Sequence, residues 1–266
     1  MTDFGDRYGP WAIVAGASEG TGAAFSRELA ARGVNVVLVA RRPDPLNALA
    51  EEIHEASGVE TRVVALDLSG LDAGAELAAA TADLDVGLLI YNAGADEYGM
   101  QFLDVEADLW AAMAHRNCVV PLRLCHHYAR SMVDRGRGGI LLVTSGAAWA
   151  GGARLATYGA TKAFDLVFGE GLWAELAPKG VDVLSFVLGQ TDTPAFRALV
   201  AKYGTTAGDM ADADDVARDG LDHLGDGPTR MSAALGGGDS SLVGAMLRRV
   251  AVALMSAGMS EIVGEA

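Results

Sequence analysis

Tyr158-Gly159-Ala160-Thr161-Lys162 sets a phenol and an ammonium four residues apart. On a helix such a pair shares one face, ~5–6 Å apart at Cβ. A free tyrosine, with a pKa of ~10, exchanges protons poorly at neutral pH, and a nearby ammonium favours the phenolate. The spacing points to Tyr158 as a general acid/base tuned by Lys162. With 6 tyrosines and 3 lysines (Lys162, Lys179 and Lys202) in 266 residues, chance supplies about 0.07 such pairs. Ser145, in Leu142-Val143-Thr144-Ser145-Gly146, lies thirteen residues upstream at the end of an apolar run. A hydroxyl at a strand's carboxyl end can donate a hydrogen bond to a substrate carbonyl. No histidine is spaced to activate it and G-x-S-x-G is absent, which excludes a hydrolase nucleophile. Asn117 interrupts a long helical pattern at His115-Arg116-Asn117-Cys118; alone it reads equally as a tolerated polar residue.

A second constellation sits at the start of the chain. Ala15-Gly16-Ala17-Ser18-Glu19-Gly20-Thr21-Gly22 follows a strand-like run and opens a helical one. Glycines at positions 16, 20 and 22 let the backbone turn sharply, and a helix N-terminus offers amide donors to a pyrophosphate. A carboxylate some ~20 residues further on would bind the ribose 2′-hydroxyl of NAD. This chain has Ala40-Arg41-Arg42 there, so a 2′-phosphate is the natural ligand and NADP(H), not NAD(H), the expected cofactor. Glu19 opposes that reading if it points inward. Asp67-Leu68 and Asn92-Ala93-Gly94 follow two further apolar runs, where small and polar residues line a ligand crevice.

The elements that must position these residues are legible as alternation. Strands are predicted over Trp11–Ala15, Val34–Ala40, Thr61–Leu66, Val86–Tyr91, Gly139–Thr144 and Val181–Val187. Helical patterns fill Gly20–Arg32, Pro45–Ser57, Ala73–Ala82, Val105–Arg135 and Leu155–Pro178. Near-continuous apolar strands alternating with helices predict an α/β fold, a doubly wound parallel β-sheet with helices on both faces. Gly33 and Gly180 read as helix stops. No linker divides residues 1–266, so one domain is expected, with an insertion at about 193–225 as a lid.

The hydrophobic fraction of 51% fits a globular chain, and a net charge of −15 argues against nucleic acid or an anionic membrane surface as partner. No apolar stretch is long enough to span a membrane without a charge. Cys118 and Cys125 lie too far apart along one helix for a disulfide, and reduced thiols with no secretion signal predict a cytoplasmic location. The five histidines lack metal spacing, so no metal is expected.

Together the motifs resemble the short-chain dehydrogenase/reductase family over residues 10–195. The resemblance implies a Rossmann fold and a catalytic set of Asn117, Ser145, Tyr158 and Lys162. It makes Tyr158 the proton donor and has Ser145 orient the carbonyl. Lys162 would bind the nicotinamide ribose and Asn117 would hold a water in the proton relay. The cofactor would meet Gly16, Ser18, Gly20, Thr21, Gly22, Arg41, Arg42, Asp67, Leu68, Asn92, Ala93, Gly94, Gly189, Thr191 and Thr193, besides Tyr158 and Lys162. Leu188-Gly189 replaces the family's Pro-Gly, and Tyr91 replaces its more usual Asn without an evident consequence. The tail after about 225 is poorly matched, and Gly236-Gly237-Gly238 has no assignment.

The expected activity is hydride transfer between NADP(H) and a ketone or secondary alcohol of a hydrophobic kind: steroid-like, 3-oxoacyl or cyclic. The alternative is a non-catalytic NADP(H)-binding redox sensor. Phe196, Leu199, Val200 and Tyr203 recur at helical spacing within Thr193–Met210, which suits a lid over an apolar substrate. Apolar residues on several faces of the last two long helices, including Leu166, Phe168, Leu172 and Trp173, predict a homodimer or homotetramer.

Overall fold

The computed structural model describes residues 4–95, 99–149, 151–203 and 209–238. Seven parallel strands form one sheet in the order β3-β2-β1-β4-β5-β6-β7. They are β1 (Trp11–Ala15), β2 (Asn35–Ala40), β3 (Thr61–Ala65), β4 (Val86–Tyr91), β5 (Gly138–Ser145), β6 (Val181–Leu188) and β7 (Thr229–Met231). The helices are α1 (Phe4–Tyr8), α2 (Gly20–Ala31), α3 (Pro43–Ser57), α4 (Ala73–Ala80), α5 (Ala107–Ala114), α6 (Val120–Arg135), α7 (Ala156–Leu176), α8 (Pro194–Tyr203) and α9 (Ala213–Asp222). The strand order reverses between β1 and β4, so the chain diverges there at the strands' carboxyl ends and leaves a crevice.

Alternate residues of each strand face opposite layers, and both layers are covered. Ala12 and Val14 of β1 pack with Phe25, Leu29 and Phe186 on one side. Ile13 and Ala15 pack with Leu77, Leu124 and Tyr128 on the other. This double burial is why the strands read as continuous apolar runs, with all six residues of β4 buried. Gly33 and Gly180 end their helices at φ of 75° and 84° as expected.

Three regions depart from the sequence reading. The predicted helix Val105–Arg135 begins at Ala107 and is cut in two by a π turn over His115–Val119. Asn117 lies inside that turn, with Pro121 in the first turn of α6 behind it. The segment 193–225 divides: α8 buries no residue, whereas Val216, Ala217 and Leu221 of α9 belong to the main core. The unmatched tail supplies β7, a strand of 3 residues too short to read from periodicity. Beyond it Gly236, Gly237 and Gly238 all take positive φ, and Gly238 accepts from the Met231 amide at 2.8 Å. Of the residues from which an oligomer was expected, Leu166 is buried in the chain's own core and Phe168, Leu172 and Trp173 pack partly against it.

The site depends on how closely α7 approaches β6. A Cβ at Gly169 would lie 2.1 Å from Ser185 Oγ. That hydroxyl donates to the Asp165 and Leu166 carbonyls at 3.2 and 3.1 Å. Gly169→Ala should therefore lower the unfolding free energy by ~1–3 kcal/mol in urea titration. Combining it with Ser185→Ala should recover part of that loss, since the two side chains compete for one space.

Candidate active site

Four elements converge at the carboxyl edge of the sheet. Ser145 is the last residue of β5, and its Oγ accepts from the Ala147 amide at 3.2 Å, starting a short 3-10 turn. The first turn of α7 lies on that 3-10 turn: a Cβ at Gly159 would stand 2.9 Å from the Ala147 carbonyl oxygen. Tyr158, next to Gly159, lies in the turn of α7 that meets the 3-10 turn begun by Ser145. One turn further, Lys162 is 3% exposed, and its Nζ donates to the Val143 carbonyl (2.8 Å) and to Asp165 Oδ2 (3.2 Å). Gly94, just past β4, completes the junction at φ 132°. A Cβ there would lie 2.9 Å from Asn117 Oδ1 and 3.1 Å from Lys162 Nζ. Asn117 and Lys162 therefore meet over a residue that has to be glycine.

Asn117 is fully buried and held from three sides. Its Nδ2 donates to Thr161 Oγ1 at 2.9 Å and to the Gly94 carbonyl at 3.3 Å. Its Oδ1 accepts from Arg116 Nε at 3.1 Å, and Arg116 also reaches the Ala95 carbonyl at 2.8 Å. The Tyr91 hydroxyl, fully buried, donates to the Arg116 carbonyl at 2.5 Å. Tyr91 thus clamps the π turn that presents Asn117, a consequence its substitution for Asn did not suggest. Burial in apolar surroundings pushes the Tyr91 phenol well above the usual tyrosine range, with the Asp165 charge adding to it, so it stays a donor. Thr161 passes the connection on by donating to the Tyr158 carbonyl at 2.8 Å.

The glycine turn has the shape a dinucleotide needs. At φ 85°, Gly16 approaches the next loop so closely that a Cβ would be 2.9 Å from the Ala93 amide nitrogen. A Cβ at Gly22 would fall 2.0 Å from the Gly16 carbonyl oxygen and 2.8 Å from Asn92 Nδ2, which itself donates to that carbonyl at 3.2 Å. Gly20 is equally tight: a Cβ would meet Thr193 at 2.9 Å. Glu19, at the N-cap of α2, makes no side-chain cap hydrogen bond, which leaves the first amides of the helix to a ligand. Ser18 is half-buried beside this cradle and Thr21 is buried within it. A nicotinamide dinucleotide fits these residues.

Other expected cofactor contacts are modified. Arg41 and Arg42 are both exposed past β2, but Arg42 donates to Glu19 Oε2 at 2.7 Å, so its charge is partly met within the chain. Asp67 Oδ1 caps the Ser69 amide at 2.9 Å, and the Leu68 side chain is turned into the core. Ala93 packs against the same core layer. Thr191 is buried, bridges to Ala211 and donates to the Gly189 carbonyl at 3.3 Å. Thr193 Oγ1 accepts from the Phe196 amide at 3.2 Å and so starts α8.

From the glycine turn α8 crosses to the Gly99 strand-end loop. The Tyr203 hydroxyl donates to the Gly99 carbonyl at 2.6 Å, and a Cβ at Gly99 would be 2.8 Å from Leu199 Cδ1. The Arg154 guanidinium sits 5.2 Å from the Tyr203 ring centroid. Phe196 and Val200 remain half-exposed on the same helix. The glycine-containing stretch 204–208 lies outside the described residues.

The short chain dehydrogenase family profile matches residues 10–204. This chain belongs to the short-chain dehydrogenase/reductase family. It is 37% identical over 223 residues to a 7β-hydroxysteroid dehydrogenase of Clostridium sardiniense, covering 84% of this chain and 85% of that protein. A solved 7β-hydroxysteroid dehydrogenase structure superposes with a TM-score of 0.79 at 33% identity, covering 87% of this chain and 90% of that one. A short-chain dehydrogenase from Sphingobium yanoikuyae in complex with NADPH superposes with a TM-score of 0.77 at 27% identity, covering 97% of both chains.

As a short-chain dehydrogenase the protein is an oxidoreductase that uses a nicotinamide cofactor. The structure brings the expected Asn117 and Lys162 together at Gly94, and it adds contacts of Thr161, Tyr91, Arg116 and Asp165 that the sequence reading did not name, since they arise across elements. Thr161 and Asp165 share a helix with Tyr158 and Lys162, so their spacing was the available signal. Among the described residues no group of His, Cys, Asp and Glu could hold a metal, and no helix is long and apolar enough to cross a membrane. Cys118 and Cys125 are free thiols, and burial pushes Cys118 up to about 11.

Thr161 offers a direct check of this support. Thr161→Val leaves a buried Asn117 Nδ2 proton without its partner, so unfolding free energy should fall by ~1–3 kcal/mol in denaturant titration. Thr161→Ser keeps the hydroxyl and should lose far less.

Proposed function

We propose that the protein is an NADP(H)-dependent carbonyl reductase, reversible as an alcohol dehydrogenase, acting on bulky hydrophobic ketones of the hydroxysteroid class. The observation that carries this reading is the meeting of buried Lys162 and Asn117 over Gly94, one helical turn from Tyr158, with Lys162 tied to the Val143 carbonyl two residues before Ser145 on β5. A sensor that only binds the cofactor has no use for a buried ammonium aligned with a phenol. The steroid assignment takes its support from the 7β-hydroxysteroid dehydrogenases that the chain resembles. A 3-oxoacyl substrate is the nearest competitor, since a very-long-chain 3-oxoacyl-CoA reductase of Podospora anserina is also 41% identical over 191 residues.

In this mechanism the substrate oxygen lies between Ser145 Oγ and the Tyr158 hydroxyl. Ser145 donates a hydrogen bond that polarises the carbonyl, and Tyr158 transfers its proton to the oxygen as charge develops there. The bound cofactor supplies the hydride. The Lys162 ammonium favours the resulting phenolate, and Asn117 presents an oxygen next to that ammonium. Gly16, Gly20, Gly22, Asn92 and Gly94 would hold the dinucleotide, with Arg41 and Ser18 toward the 2′-phosphate. Glu19 competes with the cofactor for Arg42.

We read α8 as the lid. None of Phe196, Leu199, Val200 and Tyr203 is fully buried within the chain, which suits residues that meet an apolar substrate. Exposed Leu109, Val119, Leu122 and Val167, on α5, the π turn, α6 and α7, support a homodimer or homotetramer.

Two substitutions test the assignment. Tyr158→Phe should retain NADPH binding while ketone reduction, followed at 340 nm, falls by ~10²-fold or more. Substantial residual turnover would mean that another acid does the work. Arg41→Ala should raise KM for NADPH by about tenfold to hundredfold and leave KM for NADH nearly unchanged, one charge-assisted hydrogen bond being worth ~1.5–3 kcal/mol. Equal losses with both cofactors would refute the 2′-phosphate assignment.

A further inference from the structure

Asp165 lies one turn beyond Lys162, so Tyr158, Lys162 and Asp165 occupy positions 0, +4 and +7 of one stripe along α7. It is 1% exposed, and its Oδ2 accepts from Lys162 Nζ at 3.2 Å. Its other oxygen, Oδ1, is buried without a hydrogen-bond partner. The remaining polar groups around it offer little compensation. The Tyr91 hydroxyl, from β4, is committed to the Arg116 carbonyl. Cys118 of the π turn and Cys125 of α6 are neutral thiols, and the Asp165 charge helps hold both up. Arg116, also of the π turn, engages Asn117 and Ala95, while Ser185 of β6 and Thr144 of β5 hydrogen-bond the backbone of α7. Among the described residues Lys162 is thus the one charged group that answers Asp165 directly.

A buried carboxylate with an orphan oxygen is a poor way to gain stability, and an apolar side chain among Cys118, Cys125 and Leu166 would cost less. The lysine explains the carboxylate. A buried ammonium with only a carbonyl acceptor is driven toward the neutral amine by desolvation, and a neutral amine gives a phenolate nothing. We propose that Asp165 is a positioning residue of the active site, the buried counter-ion that keeps Lys162 charged and fixed at the Val143 carbonyl for Tyr158. This inference rests on Lys162 and Tyr158 serving the reaction proposed above. Burial pushes the Asp165 carboxyl up to about 6, with the Lys162 ammonium pulling the other way, so the pair is fully formed only above that pH.

The test uses the scarcity of lysine. Protein labelled at lysine Cε with carbon-13 gives signals from only 3 lysines, and Lys162→Met assigns the relevant one. Without cofactor or substrate, the Lys162 signal in Asp165→Asn should report loss of its proton at a pH lower by about one unit or more. Lys179 and Lys202 should not move. In the parent protein the Lys162 signal should also show a small inflection near pH 6, where Asp165 takes up its proton. That inflection decides the matter even if Asp165→Asn fails to fold. For alcohol oxidation, Asp165→Asn should be near parity at pH 7 and about tenfold slower at pH 9.5. An unmoved Lys162 signal, or a missing inflection, overturns the counter-ion assignment. A shifted signal with an unchanged rate profile overturns the role in the reaction. Absence of any ketone or alcohol turnover in the parent protein would instead defeat the proposed function, and the Lys162 signals would still report on the pair.

Discussion

Burying one lysine ammonium beneath a ligand crevice constrains much of this molecule. Lys162 needs an acceptor and a counter-charge, and both come from fixed points: the Val143 carbonyl on β5 and Asp165 one turn along α7. The pairing of β4 with β5 ends at Tyr91–Leu142, one residue before Val143, so the sheet opens where the lysine enters. Thr144 Oγ1 then donates to the Lys162 carbonyl at 2.7 Å and locks helix to strand at the same level. Gly169 and Ser185 set the spacing of that helix a turn and more further down. A shift of α7 by one residue would break all of these contacts together.

The proton-handling side and the cofactor side are mechanically joined. Gly94 touches Asn117 and Lys162, and two residues earlier Asn92 holds the carbonyl of Gly16. The glycine turn therefore takes its shape partly from the loop that meets Asn117 and Lys162. Thr193, at the start of α8, closes over Gly20 on the other side. Cradle, catalytic cluster and α8 meet within a few residues of the β1/β4 crossover, where a parallel sheet of this order leaves its crevice.

Acidic composition makes the basic pair after β2 informative, yet the structure engages Arg42 within the chain. Glu19 comes from the glycine turn, and Arg42, just past β2, meets it at 2.7 Å. Both groups are largely exposed, so the pair contributes little stability. Its effect is to spend one guanidinium within the chain. Tyr91 reverses the pattern: a residue with no evident role in the sequence becomes the clamp of the π turn.

The sequence by itself determined the alternation of strands and helices, the glycine turn and the Tyr158–Lys162 pair. Each of these is written in local spacing: apolar runs buried on both faces, glycines between a strand and a helix, an i,i+4 step on one helix face. Asn117 was legible as an interruption, because a side chain that competes for backbone bonds disturbs a helical pattern wherever it occurs. Only the tertiary structure decided what these residues meet. The π turn exists because Tyr91 and Gly94, from β4 and the loop after it, hold the turn and Asn117 in place, with Arg116 bracing Asn117 from within the turn. The three residues of β7 form a strand because β6 offers them an edge, and α9 joins the core because α2 and β6 leave an apolar surface open. Asp165 was invisible for the same reason. An acidic residue on a helix ordinarily faces water, and only packing against β4, the π turn and α6 removes the water and leaves Lys162 as its partner.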